Sequence, residues 1–172
     1  PLKINKYKHM KTILKITIAL ITFSTLSTAQ NIVVIEDLHF LNNTTWTGTL
    51  SYLDYSSQKQ RSIPTNLKLT IKKNNIVMVT EYGNEPEANS KDVIKLKKGG
   101  TYFGNEKIEA YTKNSENDLI IKTTFKGKDN RKPATIFKTY RFSATKLSIT
   151  KSVLLENTTD IIIRNTYTYT KA

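Results

Sequence analysis

Apolar and polar residues alternate with a period of two along most of the chain, beginning at Trp46. Trp46, Gly48, Leu50 and Tyr52 fall on one face of a first strand. In the next, Ile63, Thr65, Leu67, Leu69 and Ile71 alternate with Ser62, Asn66, Lys68, Thr70 and Lys72. Such a pattern sets one face of a sheet against a core and the other against water. The same alternation predicts strands through Ile76, Met78, Thr80 and Tyr82, around Val93, Ile94 and Leu96, over residues 101–103 and 107–112, and through Leu119, Ile121, Thr123 and Phe125. Three more follow, carrying Ile136, Tyr140 and Phe142, then Leu147, Ile149, Val153 and Leu155, and finally Ile161, Ile163, Tyr167 and Tyr169. Turn-forming residues punctuate them at Asn74 and Asn75, 83–90, Gly99 and Gly100, 114–117, 127–133, 143–146 and 157–160.

Residues 35–43 break the alternation, and Leu38, Phe40 and Leu41 suggest one or two helical turns there. Between the strands no stretch is long enough for a crossover helix, so consecutive strands are expected to lie side by side and antiparallel. The expected fold is all-β, an antiparallel up-and-down barrel of eight or nine strands with a short N-terminal helical turn. Closure removes the open edges that invite association. A barrel of about eight strands encloses either packed side chains or one small ligand.

The N-terminal region reads as an address. From Met10, the expected start, Lys11 and Lys15 precede an apolar run from Ile16 to Leu26, and Ser27, Thr28 and Ala29 supply the small residues of a cleavage site. A Sec-type signal peptide cut between Ala29 and Gln30 is the expectation, giving a secreted or periplasmic protein with no stable membrane span after cleavage. Residues 1–29 are thus upstream residues and signal, and 30–172 one barrel domain. The formal net charge is +13 over 172 residues. Residues 1–29 hold five lysines and no acid, so +8 remains on the rest.

Cysteine is absent and His39 is the one histidine after residue 29. Disulfides, thiolate metal sites and thiol nucleophiles are excluded, and no cofactor or metal is implied. A serine hydrolase would need His39 as its base, without a Gly-x-Ser-x-Gly elbow to accompany it. Glu81, Glu85 and Glu87 lie close together but match no calcium loop. Lys68, Lys72, Lys122, Lys126, Lys138 and Lys151 are spaced along strands as solvating surface residues would be. Basic clusters occur at Lys95, Lys97 and Lys98 and at Lys126, Lys128, Arg131 and Lys132, and the second could bind an anion. No aromatic-interleaved basic motif points to nucleic acid.

The segment Thr44-Thr45-Trp46-Thr47-Gly48-Thr49-Leu50 after a helical turn, followed by a meander whose last strand carries Arg164, resembles the lipocalin-like members of the calycin superfamily. In place of the glycine that lipocalins carry two residues before the tryptophan stands Thr44. The resemblance implies that Trp46 closes one end of the barrel and packs against Arg164. The signal and the strand meander, with no cysteine and one histidine after residue 29, point to a non-catalytic, lipocalin-like binder of a small apolar or amphipathic ligand, or of a protein partner. The candidate ligand-binding residues are Trp46, Tyr52, Tyr82, Tyr140, Phe142, Arg164 and Tyr167; the aromatics among them could equally fill a packed core. Two alternatives stand beside this reading. One is a small outer-membrane barrel; the other is an enzyme on a calycin-like scaffold using Glu81, Tyr82 or Arg164.

Overall fold

Ten antiparallel strands close into one barrel in the computed structural model, which describes residues 31–116 and 118–172. The segment expected to be a signal peptide, with its expected cleavage point, lies outside the described residues. In chain order the strands are β1 (Thr44–Leu53), β2 (Gln60–Lys72), β3 (Asn75–Tyr82), β4 (Ser90–Lys97), β5 (Tyr102–Phe103), β6 (Glu106–Lys113), β7 (Leu119–Asp129), β8 (Lys132–Phe142), β9 (Lys146–Leu155) and β10 (Ile161–Lys171). Each pairs with its neighbours in sequence, and β10 pairs with β1 to complete the circuit. The expectation of eight or nine strands is therefore corrected to ten, because the short segments β4 and β5 both join the ladder.

Two turns also differ from expectation. The stretch 127–133 is not a loop: β7 runs on to Asp129 and β8 starts at Lys132, leaving Asn130 and Arg131, both at positive φ, as a two-residue turn. Between β2 and β3 the turn residues are Lys73 and Asn74, one position earlier than predicted. The helical turn is a 3-10 segment, Ile35–Leu41, whose Ile35, Leu38 and Leu41 are buried.

One end of the barrel is solid. Leu38 and Leu41 plug it from below, against Trp46, Leu67, Leu69, Leu119, Ile121, Phe142, Leu147 and Tyr169, all buried. Trp46 meets the demand of its indole N–H locally, donating to Thr44 Oγ1 at 2.8 Å, while the Thr44 hydroxyl donates to the Leu41 carbonyl at 2.7 Å. Thr44 thus ties the first strand to the plug. Gly48 faces Tyr169 across the β1–β10 ladder, and a Cβ there would collide with the Thr168 carbonyl oxygen and come 2.8 Å from the Tyr169 ring. Its missing side chain lets the tyrosine lie flat over β1.

The plug is pinned from outside as well. Asp37 accepts hydrogen bonds from the Tyr111 hydroxyl at 2.7 Å and Lys113 Nζ at 2.6 Å, both on β6. The Lys113 hydrogen bond holds the Asp37 carboxyl below its ordinary range, and burial together with the Asp37 carboxylate pushes the Tyr111 phenol well up.

Candidate functional site

Away from the plug the barrel is hollow, with a cavity of about 620 Å³. Met78, Thr80 and Tyr82 on β3, Ile94 on β4 and Phe103 on β5 form one wall. Phe125, Lys138, Tyr140, Ile149, Lys151, Asn165, Tyr167 and Tyr169, on β7 to β10, form the other. The wall is weakest at β5, which holds β4 through only Leu96↔Phe103 and Lys97↔Tyr102 and holds β6 through only Tyr102↔Lys107 and Phe103↔Glu106. Beyond those pairs the first half of β4 and the second half of β7 have free edges facing each other. This slot carries the cavity to the surface, which is why Asp92, Val93, Lys95 and Lys97 contribute to its rim.

Polar groups enter the cavity at fixed points. Glu106 accepts hydrogen bonds from Thr123 Oγ1 at 2.6 Å, Lys138 Nζ at 2.5 Å and the Tyr140 hydroxyl at 2.9 Å. Burial, reinforced by the Glu106 charge, pushes the Tyr140 phenol far above its ordinary range, so it stays a donor. Tyr82 and Tyr167 join hydroxyl to hydroxyl at 2.7 Å across the space. Burial raises Tyr167 likewise and lifts Tyr169 to about 12. Lys138 and Lys151 are directly opposed on β8 and β9, and Asn165 opposes Lys151 on β10, so three donors form a row on adjacent strands.

Behind the cavity wall, Lys151 Nζ lies 3.0 Å from Asp129 Oδ1 and Arg164 Nε lies 3.1 Å from Asp129 Oδ2. The Arg164 Nε contact is an ion pair without the alignment of a hydrogen bond, and Arg164 Nη1 is buried with no partner. The guanidinium sits 3.4 Å from the centre of the Tyr55 ring in the β1–β2 turn. Asp54 anchors that turn by accepting from the hydroxyls of Ser57 and Ser56 and from the Ser56 amide, hydrogen bonds that lower its carboxyl to about 2.

Of the residues expected at the site, Tyr82, Tyr140 and Tyr167 line the cavity. Trp46 and Phe142 belong to the solid end, Phe142 stacking on Tyr140 at 6.2 Å between ring centres. Tyr52 is half-buried on β1, opposite Asn165, outside the cavity lining. The expected Trp46–Arg164 pair is not formed. Trp46 lies opposite Lys171, seven positions along β10 from Arg164, which at strand rise is roughly 20 Å. Arg164 occupies a bulge at the other end and is taken by Asp129 and Tyr55. Glu81 is exposed on the outer face of β3 and shares no pocket with Arg164. Glu85, Glu87 and His39 are exposed too.

Lys138 and Lys151 were expected on the surface and point inward instead. Their phase gave the signal: Lys138 falls between Ile136 and Tyr140, and Lys151 between Ile149 and Val153, on the apolar face of each strand. Glu106 opens a strand and had no such phase to betray it.

No protein-family model matches the chain, and no curated protein matches it at a significant level.

Proposed function

We propose that this protein is a lipocalin-like, exported barrel that carries a small amphipathic molecule in its hollow half without transforming it. The observation that carries this reading is the division of the barrel into a plugged apolar end and a cavity of about 620 Å³ opening through a slot. That volume lies within the usual range for small-molecule sites, and Met78, Ile94, Phe103 and Ile149 beside tyrosine hydroxyls suit a ligand with both an apolar body and polar atoms. The plug with Trp46 at the base of β1 supports the lipocalin-like assignment. The outward-facing residues oppose the outer-membrane alternative: β1 presents Thr45, Thr47, Thr49 and Ser51, and β2 presents Asn66, Lys68 and Thr70, where a membrane barrel would present an apolar band.

A neutral fluorescent probe, N-phenyl-1-naphthylamine, tests the reading. Titration into the wild-type protein should give saturable binding at one site. Ile149→Trp, which fills the cavity, should weaken it at least tenfold while the protein stays folded. Binding unchanged by Ile149→Trp, or no binding at all, would overturn the reading.

A further inference from the structure

We propose that the ligand of this cavity is an anionic amphiphile whose acidic head group, a carboxylate or a phosphate monoester, is held between Lys138 and Lys151. The proposal rests on the cavity being a ligand site. It starts from a local conflict: two lysines directly opposed on neighbouring strands repel one another, and here both are on the inner face.

Their partners draw them apart. Lys138 reaches to Glu106 on β6, and Lys151 reaches to Asp129 at the end of β7. Each ammonium has three N–H donors and spends one on its carboxylate, and both keep part of their surface open to the cavity, with side chains 28% and 26% exposed. The carboxylates are themselves shared. Glu106 also serves Thr123 and Tyr140, and Asp129 also faces Arg164, which keeps a buried Nη1 without a partner. Among the charged residues lining the cavity and its rim, four cations, Lys95, Lys97, Lys138 and Lys151, stand against two carboxylates, Asp92 and Glu106. The lining carries a positive excess, and its two inward ammonium groups keep N–H donors to spare.

An acidic head group supplies what is missing. Placed between the two ammonium groups it accepts from both, with the Asn165 amide next in the row, and it converts their repulsion into a shared bridge. Its apolar body then has Ile149, Phe103, Met78 and Ile94 to lie against. Lys95 and Lys97 at the slot draw such an anion toward the opening.

Displacement of the neutral probe by decanoate, decyl phosphate and 1-decanol, compared in wild-type protein and in Lys151→Met, tests this. Asp129 keeps Arg164 in that variant, and Lys138→Met, with Glu106 still held by Thr123 and Tyr140, serves as the second. The acids should displace the probe at concentrations about tenfold or more below that of decanol, as a charge-assisted hydrogen bond implies, and either variant should reduce the advantage to less than about threefold. The stronger of the two acids identifies the head group. Equal potency of acids and alcohol would overturn the proposal and leave the cavity reading standing. An acid preference that survives in both variants would overturn the placement between the lysines. Failure of the probe and all three amphiphiles to bind would remove the underlying reading as well.

Discussion

Glu106 shows how much one side chain can organise. Its carboxylate accepts hydrogen bonds from Thr123, Lys138 and Tyr140, so three inward-facing polar groups find their partner in one place. Removing it strands all three, and Glu106→Ala should cost about 3 kcal/mol in urea unfolding, the range for breaking a buried pair on one side. Glu106→Gln, which keeps an acceptor, should cost less. A second residue-scale expectation concerns acid. Hydrogen bonds from Ser57 and Ser56 lower the folded Asp54 carboxyl to about 2, below its ordinary 3.8. A depressed carboxyl favours the folded turn above pH 4 and loses that contribution as pH falls from about 4 to 2. NMR titration should therefore place Asp54 near 2, and Asp54→Asn should abolish the acid-dependent change in the Ser56 and Ser57 amide signals. At this scale the sequence was partly legible: Tyr82, Tyr140 and Tyr167 could be picked from their phase, but Glu106 and Asp129 stand at strand ends, where alternation carries no information.

At the scale of elements, the alternation placed every long strand because each has one face in the core and one in water, and this two-fold contrast is what hydrophobic patterning records. The same physics explains what it hid. The strand expected over 101–103 is there as β5, but periodicity does not show that these two residues, held by four cross-strand pairs, alone bridge β4 to β6 and leave the slot beside them. The charged stretch 127–133 reads as a loop because its lysines and glycine resemble one, although its strands are paired down to Asp129 and Lys132. Gly48 gives the element-scale prediction. A methyl group there must push both the Thr168 backbone and the Tyr169 ring away from β1, and overpacking of this kind costs about 1–3 kcal/mol. Gly48→Ala should lower the unfolding midpoint accordingly, and Gly127→Ala, whose nearest contact is the flexible end of Ile136 at 3.0 Å, should lower it less.

The whole molecule joins two halves of different character within one closed ladder. The solid half, built on Trp46, the 3-10 plug and the leucines of β2, β7 and β9, supplies the burial that stabilises the barrel. The hollow half gives up that packing for tyrosine hydroxyls, two inward lysines and space. Sequence patterning and the short turns favoured strands that close on themselves over two stacked sheets but could not say where the interior would be filled, since Trp46, Phe142 and Tyr167 share the same inward phase and differ only in height along the barrel. Nor could it assign Arg164, whose partner was decided by a bulge after Ile163 that no periodicity marks. The central claim, that the hollow half is a ligand site, is tested most directly by a crystal structure of the protein grown with an amphiphile such as decanoate. The account predicts continuous density inside the barrel, its apolar chain against Phe103 and Ile149 and its head group toward Lys138 and Lys151. An empty cavity at saturating ligand, or density confined to the outer surface, would contradict it.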